Sequence, residues 1–331
     1  RDENGDGNSA VHAVRLSTGE RLWSFPVPSS VHGSLAVGDG TVFVPSMRGV
    51  LYAVDAETGK LRWKHAPEQV AGSYNQRAYG YYGPTVADGK VFWPYQTRLG
   101  AGSQGLLVAL DTRTGDPAWQ APMTGSTMSD GTPAVADGMV YVGNQTSDRV
   151  IAFDQQTGER RWVAATKLGG WQDGIPTAVD GRVFIGANNG VIARDGATGQ
   201  ELWTFSSPHP SQVPGGATPS APAVAGNVLY MGFPSGAVTA LDATTGAVLW
   251  DRILPGTSYR AGVASSPVVS GDTLFVGSNN GSFYALDRHT GQPRWEHEIG
   301  TWVAAGPAVS GNTVVTGAWD GNLYAYTGLR P

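Results

Sequence analysis

The feature that most constrains this chain is a tract repeated along nearly its whole length, of the form apolar-x-apolar-Asp-x-x-Thr-Gly-x-x-x-Trp. It reads LYAVDAETGKLRW at 51–63, LVALDTRTGDPAW at 107–119 and VIAFDQQTGERRW at 150–162. It continues as VIARDGATGQELW at 191–203, VTALDATTGAVLW at 238–250 and FYALDRHTGQPRW at 283–295. Two degenerate copies flank these. VHAVRLSTGERLW at 11–23 has Arg15 in place of the Asp, and LYAYTG at 323–328 stops before any Trp. Between the tracts recurs a second unit of two apolar runs around a tight turn, such as PTVADGKVFWP from Pro84, PAVAGNVLYMG from Pro222 and PVVSGDTLFVG from Pro267. Asp-Gly, Gly-Asn and Gly-Asp at these turns suit the positive φ values of a two-residue hairpin.

Each period therefore supplies four short strands, A to D, with A and B in the Gly-turn hairpin, C before the Thr-Gly turn and D carrying the Trp. The proline that opens most A strands has no donor for a ladder and belongs at a strand entrance. Four alternating strands repeated every 40 to 50 residues describe a propeller blade, whose sheets bury one another's faces. A strands opening at 34, 84, 133, 176, 222, 267 and 307 count seven blades. The expected fold is all-β, a seven-bladed β-propeller of four-stranded antiparallel blades in a single domain over 1–331, with 1–10 a polar N-terminal extension. The last blade has its A, B and C strands at 307–326 but no Trp strand, whereas 19–25 supply a D strand. Pairing the N- and C-terminal strands would then close the ring. Because 11–15 and 322–326 both read as strand C, eight blades is the alternative.

Within the tract each residue type has a local task. The Asp side chain accepts backbone N–H bonds of the C-to-D turn, Thr caps that turn, and Gly takes the left-handed conformation. The tryptophans at 23, 63, 119, 162, 203, 250 and 295 are expected between blades, each with one N–H that needs a partner.

Composition removes several function classes. The formal net charge is −5 with 15% charged residues and no basic run, which argues against nucleic acid and anionic membranes as partners. No run of 18 apolar residues exists, so no membrane insertion is expected of this segment. Cysteine is absent, which excludes disulfides, thiol nucleophiles and thiolate metal sites. The chain starts at Arg1 without a signal-peptide pattern and reads as a processed product or excised domain. A low Lys and Glu content beside many Gly, Thr, Ser, Trp and Tyr residues leans towards an extracytoplasmic location.

The Asp-x-x-Thr-Gly-x-x-x-Trp tracts resemble the docking motif of the pyrroloquinoline-quinone-type (PQQ-like) repeat family, over about 11–328. The resemblance implies a propeller and several possible roles: quinone-dependent dehydrogenase, outer-membrane assembly scaffold lipoprotein, or extracellular sensor domain of a bacterial serine/threonine kinase. Large quinoprotein alcohol dehydrogenases are similar in carrying an adjacent-cysteine disulfide, a Trp floor, a calcium held by Glu, Asn and Asp, and a catalytic Asp. No cysteine exists here, and no cluster can be matched to the calcium and base positions. The expectation is a non-catalytic extracytoplasmic ligand- or protein-binding module, with no catalytic residue, cofactor or metal. A divergent quinoprotein oxidoreductase or polysaccharide-active enzyme is the alternative.

Loops joining D to the next A, with the B-to-C loops, share one end of the blades, where a rigid frame concentrates function. They point His32, Arg77, Tyr79, Tyr81, Tyr82, Asp130, Trp171, Asp173, Tyr259, Arg260 and Trp302 towards the propeller mouth as ligand-binding candidates. Carboxylates at Asp130 and Asp173 opposite Arg77 and Arg260 suit a small polar molecule, glycan or peptide held by charge-assisted hydrogen bonds, with aromatic rings stacking on its apolar part. Tyr74, Tyr79, Tyr81, Tyr82, Trp93 and Tyr95 concentrate aromatics in neighbouring blades, as a protein-binding patch does. The stretch 97–105 reads as a mobile B-to-C loop. Asp2, Asn4 and Asp6 followed by Gly7 resemble the first half of a calcium loop, but Ala13 stands where its acidic ligand is needed, so a frayed terminus is expected. The six histidines show no zinc-ligand spacing.

Overall fold

The computed structural model describes residues 9–67, 82–99, 102–123, 131–144, 149–166, 173–187, 189–210, 220–255, 262–263 and 265–328. Its hairpins follow from the turn dipeptides. At each Asp-Gly turn both residues are left-handed, as at Asp39 (φ 50) with Gly40 and Asp137 (φ 51) with Gly138. At the Gly-first turns only the glycine has positive φ, as at Gly226 and Gly271. These are the two hairpin geometries whose twist matches that of the flanking strands.

The chain forms two compact units, Arg1–Ala165 and Thr166–Pro331. In the first, β1 (Ser9–Val14) and β2 (Arg21–Val27) make a two-stranded sheet. Three four-stranded antiparallel blades follow. The first has β3 (Ala36–Gly38), β4 (Thr41–Pro45), β5 (Leu51–Asp55) and β6 (Leu61–His65); the second has β7 (Thr85–Ala87), β8 (Lys90–Leu99), β9 (Gly102–Asp111) and β10 (Pro117–Pro122). The third has β11 (Ala134–Ala136), β12 (Met139–Asn144), β13 (Arg149–Asp154) and β14 (Arg160–Ala165). In the second unit, β15 (Asp173–Val179), β16 (Arg182–Ala187), β17 (Gly190–Asp195) and β18 (Glu201–Ser206) form one blade, and β19 (Ala223–Ala225), β20 (Val228–Gly232), β21 (Ala237–Asp242) and β22 (Val248–Ile253) the next. They are followed by β23 (Val268–Ser270), β24 (Thr273–Gly277), β25 (Ser282–Asp287) and β26 (Pro293–Glu298), and by a three-stranded sheet of β27 (Ala308–Ser310), β28 (Thr313–Gly317) and β29 (Leu323–Thr327). The fold class is the expected seven-bladed β-propeller, with β3, β7, β11, β15, β19, β23 and β27 as innermost strands.

The core of every complete blade is one cross-strand row. An aromatic residue on B, an alanine on C and the Trp on D lie opposite one another: Phe43–Ala53–Trp63, Phe92–Ala109–Trp119, Tyr141–Ala152–Trp162, Phe184–Ala193–Trp203, Tyr230–Ala240–Trp250 and Phe275–Ala285–Trp295. The alanine is small enough for the two rings to meet over it, with centroids 5.7 Å apart in the first blade and 6.3 Å in the last. Each pair is tilted, as ring quadrupoles prefer.

The indole also reaches the next sheet. Trp23 Nε1 donates to Ala56 O, Trp63 to Thr112 O and Trp119 to Gln155 O in the first unit. Trp203 donates to Ala243 O and Trp250 to Arg288 O in the second. The ring lies flat on the neighbour's Thr-Gly turn: a Cβ on Gly115 would lie 2.7 Å from Trp63, and one on Gly246 2.7 Å from Trp203. In that turn Asp242 Oδ1 accepts from Thr244 N, Thr245 N and Thr245 Oγ1. Such donors hold these carboxyls below the usual range. The Thr58 hydroxyl dominates at Asp55, Arg161 at Asp154, and Arg294 at Asp287, whose pKa falls to about 2.

In the first unit β1 and β2 form a C–D pair with its own turn, Arg15 N donating to Glu20 O at 2.7 Å. In the second unit β29 bonds β28.

Two expectations change. Residues 97–99 and 102–105 are not a loop but extend β8 and β9 into a ribbon paired as far as Leu99 and Gly102. Trp93 (0% exposed) and Tyr95 (4%) are core residues, because strand alternation sends Val91, Trp93 and Tyr95 to the same inter-blade cluster as Leu106, Val108 and Leu110. Burial pushes the Tyr95 hydroxyl up to about 12 while it bonds Gln120 Oε1.

Candidate functional site

In three of the blades the end that carries the D-to-A and B-to-C loops is tied by the same main-chain bond. Met47 N donates to Ser30 O, Asn279 N to Gly262 O, and Trp319 N to Trp302 O, at 2.9, 2.9 and 3.0 Å. The bond fixes two loops side by side whatever side chains they carry. A residue pair therefore varies on a constant frame: Ser30 with Met47, Gly262 with Asn279, Trp302 with Trp319.

In the third case both positions are tryptophan, with ring centroids 4.9 Å apart and planes inclined by 55°. Trp302 is 39% and Trp319 55% exposed. Next to them Asp320 caps its own turn, accepting from Asn322 N, Asn322 Nδ2 and, at 2.6 Å, the Tyr324 hydroxyl. The Tyr324 bond lowers the Asp320 carboxyl and raises the Tyr324 hydroxyl. His297 lies beside Tyr324, with centroids 6.3 Å apart. Chemically this is an apolar platform with a polar border, able to stack on a flat or ring-shaped group.

In the first unit the loop ends converge tightly. A Cβ on Gly83 would meet Ser34 O at 2.5 Å and Thr132 Oγ1 at 3.0 Å, and Thr85 Oγ1 donates to Pro133 O. His32, two residues before Ser34, is exposed, and Tyr82, beside Gly83, is half-buried. Arg77, Tyr79, Tyr81, Asp130, Trp171, Tyr259 and Arg260 lie outside the described residues, as do Tyr74 and the Asp2, Asn4, Asp6 run. Asp173 opens β15, its backbone opposite Ala187. Trp319 escapes a reading of the sequence that follows the D-to-A loops. Its signal is a tryptophan in a B-to-C loop, away from every tract position.

A second polar group joins neighbouring blades: the His209 ring contacts Asp251 Oδ2 at 2.7 Å, and Thr239 Oγ1 donates to Asp251 Oδ1 at 2.6 Å. Ser207 Oγ faces the main-chain N–H and C=O of His209, not its ring. Among the described residues no three His, Asp or Glu side chains gather as metal ligands. With no cysteine among its 331 residues, this segment itself offers no thioether link to a c-type haem.

Comparison with known proteins agrees with this fold. A family profile described as outer membrane protein assembly factor BamB matches residues 7–129 and 103–328. Tetrathionate hydrolase of Acidithiobacillus ferrooxidans is 26% identical over 261 residues, 77% of this chain and 42% of that protein. The crystal structure of BamB from Moraxella catarrhalis superposes with a TM-score of 0.70 at 20% identity, covering 93% of this chain and 88% of that one. The quinohemoprotein alcohol dehydrogenase of Comamonas testosteroni superposes with a TM-score of 0.71 at 18% identity, covering 94% and 68%. At such identities the two superpositions speak for the fold alone, and the chain spans less than half the length of the curated relatives it matches.

Proposed function

The chain belongs to the outer membrane protein assembly factor BamB family, and from that premise we propose that it is a non-catalytic module that binds a protein or a small polar ligand at the loop end of its blades. An extracytoplasmic location follows from the family membership. The observation that carries the proposal is the Trp302–Trp319 pair: two exposed indoles held side by side by a main-chain bond that other blades also make with unrelated residues. Large, half-exposed aromatics fixed by the backbone lose little entropy on binding and supply most of the energy of an interface. Assembly scaffold and sensor domain of a bacterial serine/threonine kinase are two settings for this same role, and the family supports the first.

Calorimetry against peptides, soluble glycans and cell-wall fragments tests the reading. A ligand of the wild-type protein should bind about tenfold or more weakly to the Trp302→Ala/Trp319→Ala double variant. Stoichiometric quinone binding with calcium, accompanied by dye-linked oxidation of alcohol or aldose, would overturn it in favour of a divergent oxidoreductase.

A further inference from the structure

β6 ends in a histidine that occupies an apolar slot. The ladder position two residues after the tract Trp recurs from sheet to sheet: it holds Phe25 opposite Val11, Ala121 opposite Leu107, Phe205 opposite Val191 and His65 opposite Leu51. Phe205 is 8% exposed in the core of its layer, and Phe25 packs on Tyr52 with ring centroids 5.7 Å apart. His65 thus puts an imidazole where those sheets put a phenyl ring, and its Nε2 is buried with no hydrogen-bond partner.

Strand alternation sets what this ring faces. His65 points to the same side of its blade as Leu51 and Trp63, which pack in one layer with Trp93 and Tyr95 of β8 and Leu106 of β9. Phe43 of β4, Ala36 of β3 and Val86 of β7 belong to the same layer. Among the described residues of these strands, the other titratable side chain on this side is Tyr95, whose hydroxyl already donates to Gln120 Oε1. Trp93 Nε1 is a donor, buried and likewise without a partner. The cations of the same strands are engaged elsewhere: Arg62 pairs with Asp55 at 2.6 Å, Lys64 lies opposite Tyr52 on the other face, and Lys90 donates to Gln156. Asp39, Asp55, Asp88 and Asp111 sit in the turns at the far ends of these strands, bonded there to Thr112, Thr58, Gln155 and Thr114. No described carboxylate of these strands therefore faces the imidazole to neutralise a charge on it. Burial pushes His65 below its ordinary value of 6.5.

We infer that His65 is a proton-sensitive wedge in the seam between the first two blades. Neutral, it fills its slot as Phe205 does in another blade; protonated, it leaves the slot and loosens the loop end of the seam, while the turn end stays closed. The folded chain takes up this proton less readily than the unfolded chain. The seam is therefore tight above the ordinary histidine value and loses stability as pH falls below it. It lies wholly within the first unit and does not depend on the Trp302–Trp319 platform.

Hydrogen exchange on the full chain, with each rate expressed as protection relative to an unstructured peptide at the same pH, tests this. Between about pH 7.5 and pH 5, protection over residues 51–55 and 106–110 should fall about threefold or more, because one proton bound preferentially by the open form weakens the seam at up to tenfold per pH unit. Residues 190–195, beside the Phe205 slot, should keep their protection. His65→Phe should abolish the fall, and His65→Leu serves if that variant does not fold. Protection that stays flat with pH in the wild type, a fall that the variant retains, or an equal fall over 190–195 would overturn the inference.

Discussion

At the scale of single residues, the tract glycines do two jobs that substitution separates. Gly246 is left-handed (φ 74) and lies under the Trp203 ring, whereas Gly19 has nearly the same φ (72) and nothing within 4 Å of its would-be Cβ. Gly19→Ala should cost only left-handed strain, about 1–2 kcal/mol. Gly246→Ala should cost about 1–3 kcal/mol more, for a Cβ forced into the indole. Midpoints of urea unfolding compare the two directly. Asp287 makes a prediction about acid. Its folded pKa of about 2 lies below the ordinary 3.8, chiefly through Arg294. The stabilisation is present in full above the ordinary value and is lost as pH falls through the folded one. Thermal melts should therefore show wild type ahead of Asp287→Asn at pH 6, with the gap closing between about pH 4 and pH 2.

At the scale of the strand and blade, the aromatic–alanine–tryptophan row is the element that repeats. Ala240 lies fully buried between Tyr230 and Trp250, so added methyl groups must push the rings apart. Ala240→Val is expected to destabilise by about 1–3 kcal/mol, and Trp250→Phe by about 0.5–1.5 kcal/mol for the lost bond to Arg288 O, beyond the change in ring size. Chemical unfolding monitored by circular dichroism checks both. The tract pattern made this layer legible in advance: alternation placed the strands, Asp-x-x-Thr-Gly the turns and Trp the wedges. What the sequence did not reveal has physical causes. The extension of β8 and β9 hid behind glycines at 102 and 105, which read as a loop yet pair within a two-stranded ribbon. Trp93 and Tyr95 looked like surface aromatics until strand parity sent them inward. The Trp302–Trp319 contact joins two separate loops through a main-chain bond, and no local pattern announces such a bond.

At the scale of the molecule, the sheets are unequal in what covers them. Middle strands such as β24 and β25 are bonded on both sides and buried, whereas β29 is bonded on one side among the described residues and has an exposed alternate face. Amides of Leu323 and Ala325 should exchange with solvent about a hundredfold or more faster than that of Ala285. Mass-resolved exchange reads this without any ligand, and equal rates would mean the edge is covered in solution. The inequality also bears on how the protein can be handled. No cysteine competes anywhere in the chain, Ser17 is exposed, and the turn it shares with Gly19 carries no docked ring. A single thiol introduced as Ser17→Cys would give one thiol handle for anchoring the molecule to a sensor chip, at the end of the β1–β2 hairpin opposite the loop that leads into β3.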